Sequence, residues 1–211
     1  MSSTVFFVQA EDGIRDLVRY RGLGDVYKIK VPTTRLAMIN NCEFGGGMTA
    51  LENITTEDIR FKFRYNTPIP DTIEDAMVSL SDNATATVIP AIDTPAKIAG
   101  TWVCERESLF SCDTTGRITV TSERDIVVPI DATLSIDVAS GANKDLKAYI
   151  ALNGTVIANS SKSVRVSSGA PQSLTLLWQL SLATTDYLEV FVENTTDAVN
   201  IIAVDAILRA R

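Results

Sequence analysis

The sequence predicts an all-β protein: a C-terminal jelly-roll β-sandwich preceded by a short β-rich segment. Three observations carry that expectation. Beyond Gly100, run after run places apolar residues at alternate positions, the period of a half-buried strand. Turn signals separate the runs at short intervals. The strongest is Asn153-Gly154, because a type I′ hairpin turn needs positive φ at both central residues. Finally, no helical pattern of about ten residues or more interrupts the runs, so nothing supplies the crossover helices of a parallel α/β sheet. About seven or eight strands joined by short turns point to a sandwich or jelly roll.

Taken in order, residues 1–30 show neither helical nor strand periodicity across Gln9–Lys28. Residues 31–98 read as β-rich. Leu36–Gly47 sets Ile39 and Phe44 around an Asn pair and Cys42, then stops in glycines. Arg60–Asn66 alternates, with Phe61, Phe63 and Tyr65 on one face; the basic face opposite reads as solvated. Ile73–Leu80 fits a short helix, but the flanking Ser81–Pro90 favours a strand. Pro90 and Pro95 make Thr87–Gly100 a domain junction.

Residues 99–211 form the predicted sandwich. Arg117–Ser122 is β-branched and alternating, and Asp125–Val138 carries Leu134, Ile136 and Val138 on one face. Asp145–Ser161 reads as the hairpin around Asn153-Gly154, and Lys162–Ser168 as another short strand. Ser173–Leu182 aligns Leu174, Leu176, Trp178, Leu180 and Leu182. Burying each such leucine is worth about 1.5–3 kcal/mol, enough for this strand to anchor a core. Tyr187–Asp197 turns Leu188, Val190 and Val192 inward, and the chain closes on a strand from Ile201.

Composition narrows function. The 211 residues are 45% apolar and 21% charged, with net charge −7. That balance is globular and lacks the basic face a nucleic-acid binder needs. With no histidine there is no Ser-His-Asp triad and no His-bearing zinc site. Three cysteines, Cys42, Cys104 and Cys112, are not a disulfide framework. Cys104 and Cys112 could meet on neighbouring strands, but the favoured reading is small buried apolar groups. No apolar run is long enough to span a membrane, and Met1–Val8 lacks the basic start and long core of a secretory signal.

Candidate chemistry is sparse. Asp131, Asp137, Asp145, Asp186, Asp197 and Asp205 lie near turns and read as turn caps rather than calcium ligands. Glu105 and Glu107, two apart, would share a strand face, but nothing marks the cleft a glycosidase pair needs. Asn-x-Ser/Thr triplets at Asn53, Asn83, Asn153, Asn159 and Asn194 read as turn asparagines beside strand threonines. Trp178 belongs to the core or a subunit interface, and Trp102 to the opening strand. No catalytic, cofactor-binding or metal-binding residue is assigned.

Several elements together resemble the C-terminal jelly-roll heads of tailed-phage tail fibres, tailspikes and capsid fibres, modules similar in layout to C1q/TNF-like trimeric heads. They are Gly100-Thr101-Trp102, Thr115-Gly116-Arg117-Ile118-Thr119, the Asn153-Gly154 hairpin, the Trp178 strand and Asp186-Tyr187-Leu188-Glu189-Val190. Ile39–Phe44 resembles a rung of the parallel β-helix that often precedes such heads. The resemblance implies a non-enzymatic virion structural protein, made in the host cytoplasm and carried on an extracellular particle. It implies a homotrimer that binds a host-surface glycan or protein, with no nucleic-acid partner and no membrane insertion. Tyr149, Leu177, Phe191 and Ile202 alternate opposite the core set and are the candidate trimer contacts. Two other readings stay open: a fragment of a glycan-depolymerase tailspike, and a cellular carbohydrate-binding or C1q-like module.

The aperiodic Gln9–Lys28 has a separate explanation. Gln9–Asp16 and Arg21–Lys28 each resemble the translation of a short-read sequencing adapter, at matching spacing. Residues 1–30 are therefore expected to be a non-native leader making few contacts with the β-domain.

Overall fold

Strict alternation over thirteen residues makes Ile126–Val138 the longest strand among the described residues. Ile126, Val128, Ile130, Ala132, Leu134, Ile136 and Val138 all point inward and are buried. The computed structural model describes residues 37–40, 61–64, 74–122 and 125–211. The strands are β1 (Ala37–Asn40), β2 (Phe61–Arg64), β3 (Asp75–Leu80), β4 (Ala96–Lys97), β5 (Val103–Ser108), β6 (Phe110–Cys112), β7 (Ile118–Val120), β8 (Ile126–Val138), β9 (Lys144–Leu152), β10 (Thr155–Val156), β11 (Lys162–Val166), β12 (Gln172–Leu182), β13 (Tyr187–Asn194) and β14 (Ile201–Ala210). The leader 1–30 with its two adapter-like blocks, Cys42, Phe44 and Asn53 lie outside the described residues.

Two antiparallel sheets face each other. The first runs β12-β8-β14-β3-β5; the second runs β10-β9-β13-β7-β6, with β11 also on β9 and β4 on β13. From β8 onward the chain switches repeatedly between them. β8, β12 and β14 join the first sheet, and β9, β11 and β13 the second. That interleaving is a jelly roll, as the alternation predicted. Leu134, Ile136, Leu176 and Leu208 of the first sheet meet Leu146, Ile150, Leu188 and Val192 of the second in one core.

The sandwich starts earlier than the expected boundary at residue 99. β3 lies inside the first sheet, paired with β14 on one side and β5 on the other. Alternating burial over Asp75–Leu80 makes the described part of the Ile73–Leu80 segment strand. Thr87–Gly100 is likewise no loose junction. Thr87 exchanges hydrogen bonds with Ile201 (2.7 and 3.2 Å), and the amide of Ile98 donates to Val190 O (3.1 Å). Pro90 and Pro95 fall in irregular backbone of this segment, where a missing N–H forfeits no ladder bond. They mark a connection between the sheets rather than a boundary between domains.

The Asn153-Gly154 turn forms as expected, with φ of 53° and 75° between Leu152 and Thr155. The returning strand is shorter than predicted. After Val156 the chain makes one 3-10 turn, Ala158–Ser160, then returns to β9 as β11. Buried Ser160 explains the detour: its Oγ accepts the Ile150 amide (2.9 Å) and donates to Ile157 O (2.8 Å).

Candidate functional site

The outer faces of the two sheets differ sharply in character. Among the described residues, the large apolar side chains left exposed are Val88, Ile92, Val103, Val127, Leu177 and Ile207. The last four all stand on strands of the first sheet. Each occupies the outward phase of its strand, since its sequence neighbours on β8, β12 and β14 are buried or, for Trp178, half-buried, and Val103 pairs with outward Ser79. In register, Ile207 lies beside Ser79 and Ser79 beside Val103, Val127 lies beside Ser181, and a further row sets Leu177 beside Asp131, Asp131 beside Arg209 and Arg209 beside Met77. Arg209 Nη2 donates to the Met77 sulfur (3.2 Å), while its buried Nε has no partner. Arg211 pairs with Asp131 at 3.4 Å. This face is therefore apolar with charges of both signs.

The outer face of the second sheet is polar and internally satisfied. Glu189 and Glu193 of β13 are only 2% and 5% exposed. Glu189 Oε1 accepts from Lys97 Nζ (2.7 Å) and from Arg117 Nε and Nη2 (3.2 and 3.1 Å). The Arg117 guanidinium also lies 4.0 Å over the Tyr187 ring, a cation–π contact. Glu193 accepts the Tyr149 hydroxyl (2.9 Å) and Lys147 Nζ (3.3 Å). Sequence pattern gave no sign of these carboxylates, because alternation alone puts them on the solvent side.

Burial, then the Glu193 carboxylate, pushes the Tyr149 phenol up to about 12. A group that holds its proton more tightly when folded stabilises the fold below its unfolded pKa near 10 and loses that stabilisation as pH rises through the folded value. Stability is therefore expected to fall between pH ~10 and ~12. Tyr149→Phe should flatten that part of the profile, measured by urea unfolding at stepped pH; an unchanged slope would refute the assignment.

The four predicted trimer contacts do not form one surface. Tyr149 and Phe191 are direct partners on the second sheet. Tyr149 is already buried within a single chain, its hydroxyl committed to Glu193. Leu177 and the half-buried Ile202 lie on the first sheet, Leu177 exposed. Trp102 is a core residue, 2% exposed, and Trp178 packs partly buried against the core.

Most of the aspartates act in turns or local pairs. Asp186 accepts the Ala183 amide, Asp197 the Val199 amide, Asp205 the Asp82 amide and Asp137 the Gly169 amide. Asp145 instead forms a bidentate pair with Arg165. Asn83, Asn153 and Asn194 spend their side-chain amides on internal acceptors. Glu105 and Glu107 do not share a face. A bulge in the β3–β5 pairing, between Met77 and Val78, leaves Glu105 as the extra residue. Glu105 then accepts Ser79 Oγ (2.5 Å), whereas Glu107 accepts the Cys112 amide (3.0 Å).

The expectation of buried cysteines fails. Cys104 is exposed and Cys112 half-buried, and neither is in a disulfide. β5 is an edge strand, exposed from Val103 to Glu107, so its cysteine lacks the second layer that would cover it.

No family model matches the chain, and no curated protein matches it in sequence. Solved structures with partial likeness include murine APRIL at pH 5.0, 8% identical over 65% of this chain and 99% of that one, with a TM-score of 0.45. Eiger TNF from S. frugiperda is 16% identical over 65% and 91%, TM-score 0.39. The PRD1 vertex protein P5 is 12% identical over 65% and 96%, TM-score 0.40. Likenesses at this level carry no information on function.

Proposed function

We propose that this chain is the head of a phage tail fibre or spike: a non-catalytic homotrimer on the virion that presents its loops to a host-surface glycan or protein. The observation that carries self-association is the outer face of the first sheet. Val103, Val127, Leu177 and Ile207 leave it apolar where the opposite face is polar and paired. A sheet face of this kind is ordinarily covered, and the occupant that fits is another copy of this chain. Asp131, Arg209 and Arg211 lie together on that face, so identical copies can offset one another's charge, and closed symmetry buries the patch in every subunit.

The segment before the sandwich supports the rest of the reading. β1 and β2 pair in parallel, in register, Ala37 with Phe61 through Asn40 with Arg64. Parallel neighbours need a connection of about a dozen residues or more, which is how successive coils of a β-helix stack. We read the β1–β2 pair as part of the end of such a stem.

Sedimentation equilibrium tests the proposal. The expected mass is three times the 22.9 kDa chain, and Leu177→Glu with Ile207→Glu should yield folded monomers that no longer bind host cells. A parent chain that stays monomeric at micromolar concentration would overturn self-association. Trimer without host binding would confine the head to assembly.

A further inference from the structure

At the open edge of the sandwich, three donor groups converge. Cys104 Sγ, Glu107 carboxylate oxygen and Cys112 Sγ all lie within 4.8 Å of one another. Cys104 and Glu107 belong to β5, the edge of the first sheet; Cys112 belongs to β6, the edge of the second. Residues three apart point to opposite sides of a regular strand. Here the bulge at Glu105 restores them to one side: Cys104 pairs with buried Val78 and Glu107 with buried Ala76. Both therefore face across the edge toward Cys112.

We propose that Cys104, Cys112 and Glu107 bind a thiophilic divalent cation of the zinc type, with the Arg106 carbonyl oxygen beside the fourth position, and that the bound ion clasps the two sheets together at this edge. The donor spacing fits. With metal–sulfur bonds of about 2.3 Å and metal–oxygen bonds of about 2.0–2.2 Å, tetrahedral S and O ligands sit about 3.6 Å apart. Cys104 Sγ is 3.7 Å from Glu107 Oε2 and 3.8 Å from Arg106 O; Cys112 Sγ is 3.5 Å from Arg106 O. Glu107 is pre-oriented, since the Cys112 amide donates to its Oε2.

Metal ligation takes the thiolate form of cysteine. Binding forms two metal–sulfur bonds and releases two thiol protons to solvent, so affinity rises with pH. This proposal does not depend on the trimer: all three ligands come from one chain.

The test uses the full reduced chain with Cys42→Ser, titrated with cobalt(II) and then zinc. One equivalent of cobalt should give a thiolate-to-cobalt charge-transfer band that zinc abolishes. Zinc alone should raise the melting temperature. Cys104→Ser or Cys112→Ser should remove the band while far-ultraviolet dichroism is unchanged, and Glu107→Gln should weaken binding by about tenfold or more. No band from a chain whose thiols titrate as free would overturn the proposal. So would a band that survives either serine substitution, or a Cys104–Cys112 disulfide that forms readily in air in a chain that takes up no metal when reduced.

Discussion

Replacing Lys97 and Arg117 together with methionine is expected to destabilise the sandwich by about 3–5 kcal/mol, the cost of stranding one buried charge. Glu189 is the group stranded. Its carboxylate is 2% exposed, and Lys97 and Arg117 are the cations bound to it. The side chains of Lys97 and Arg117 are themselves 28% and 39% exposed, so the penalty arises from the acid, not from the loss of two surface cations. The decisive companion is a triple variant that adds Glu189→Leu. Removing the orphaned charge should recover most of the loss, because an apolar replacement of a buried ion pair is often neutral. Urea unfolding of the parent, double and triple variants measures both steps. A double variant within 1 kcal/mol of the parent, or a triple variant no better than the double, would show that water reaches Glu189.

Gly116→Ala is expected to cost about 2–6 kcal/mol, from two sources that act at one atom. Gly116 has φ +80°, where a side chain costs about 1–3 kcal/mol. An added Cβ would also sit 2.5 Å from Cε2 and 2.7 Å from Nε1 of Trp102. That ring is buried, and its Nε1 has no hydrogen-bond partner. Overpacking a filled site of this kind adds about 1–3 kcal/mol. The turn holding Gly116 is fastened independently: Asp113 Oδ1 accepts from the amides of Thr115 and Arg117, and the Trp102 amide donates to Thr114 O. The backbone therefore cannot simply drift away from the ring. Tryptophan fluorescence during urea unfolding reads the change. A loss below about 0.5 kcal/mol, the scatter of ordinary surface substitutions, would mean the ring moves aside at little cost.

Much of the fold was legible because strand periodicity is local. The inward sets of β8, β12 and β13 follow from alternation, down to Leu134, Ile136, Leu176, Leu182, Leu188 and Val190. The Asn153-Gly154 turn follows from the φ preferences of its two residues. Where the reading fell short, a distant element was responsible. β3 enters the sheet because β14 and β5 offer it edges on both sides, a pairing the prolines nearby give no sign of. Tyr149 faces outward on β9 as alternation requires, yet is buried, its hydroxyl donating to the equally buried Glu193 of the neighbouring strand.

The candidate sites divide the same way. Leu177 was recognisable as an outward apolar residue and is 69% exposed; its companions Val103, Val127 and Ile207 come into one surface only through strand order. The Cys104–Glu107–Cys112 cluster could not be read from spacing, since three residues of regular strand separate Cys104 and Glu107 onto opposite sides. By itself, then, the sequence determined an all-β architecture, the inward faces of β8, β12 and β13 and one hairpin turn, all of which depend on residues a few positions apart. The tertiary structure decided which strands pair, which outward residues are covered and where a bulge turns a side chain over, because those depend on neighbours brought together from across the chain.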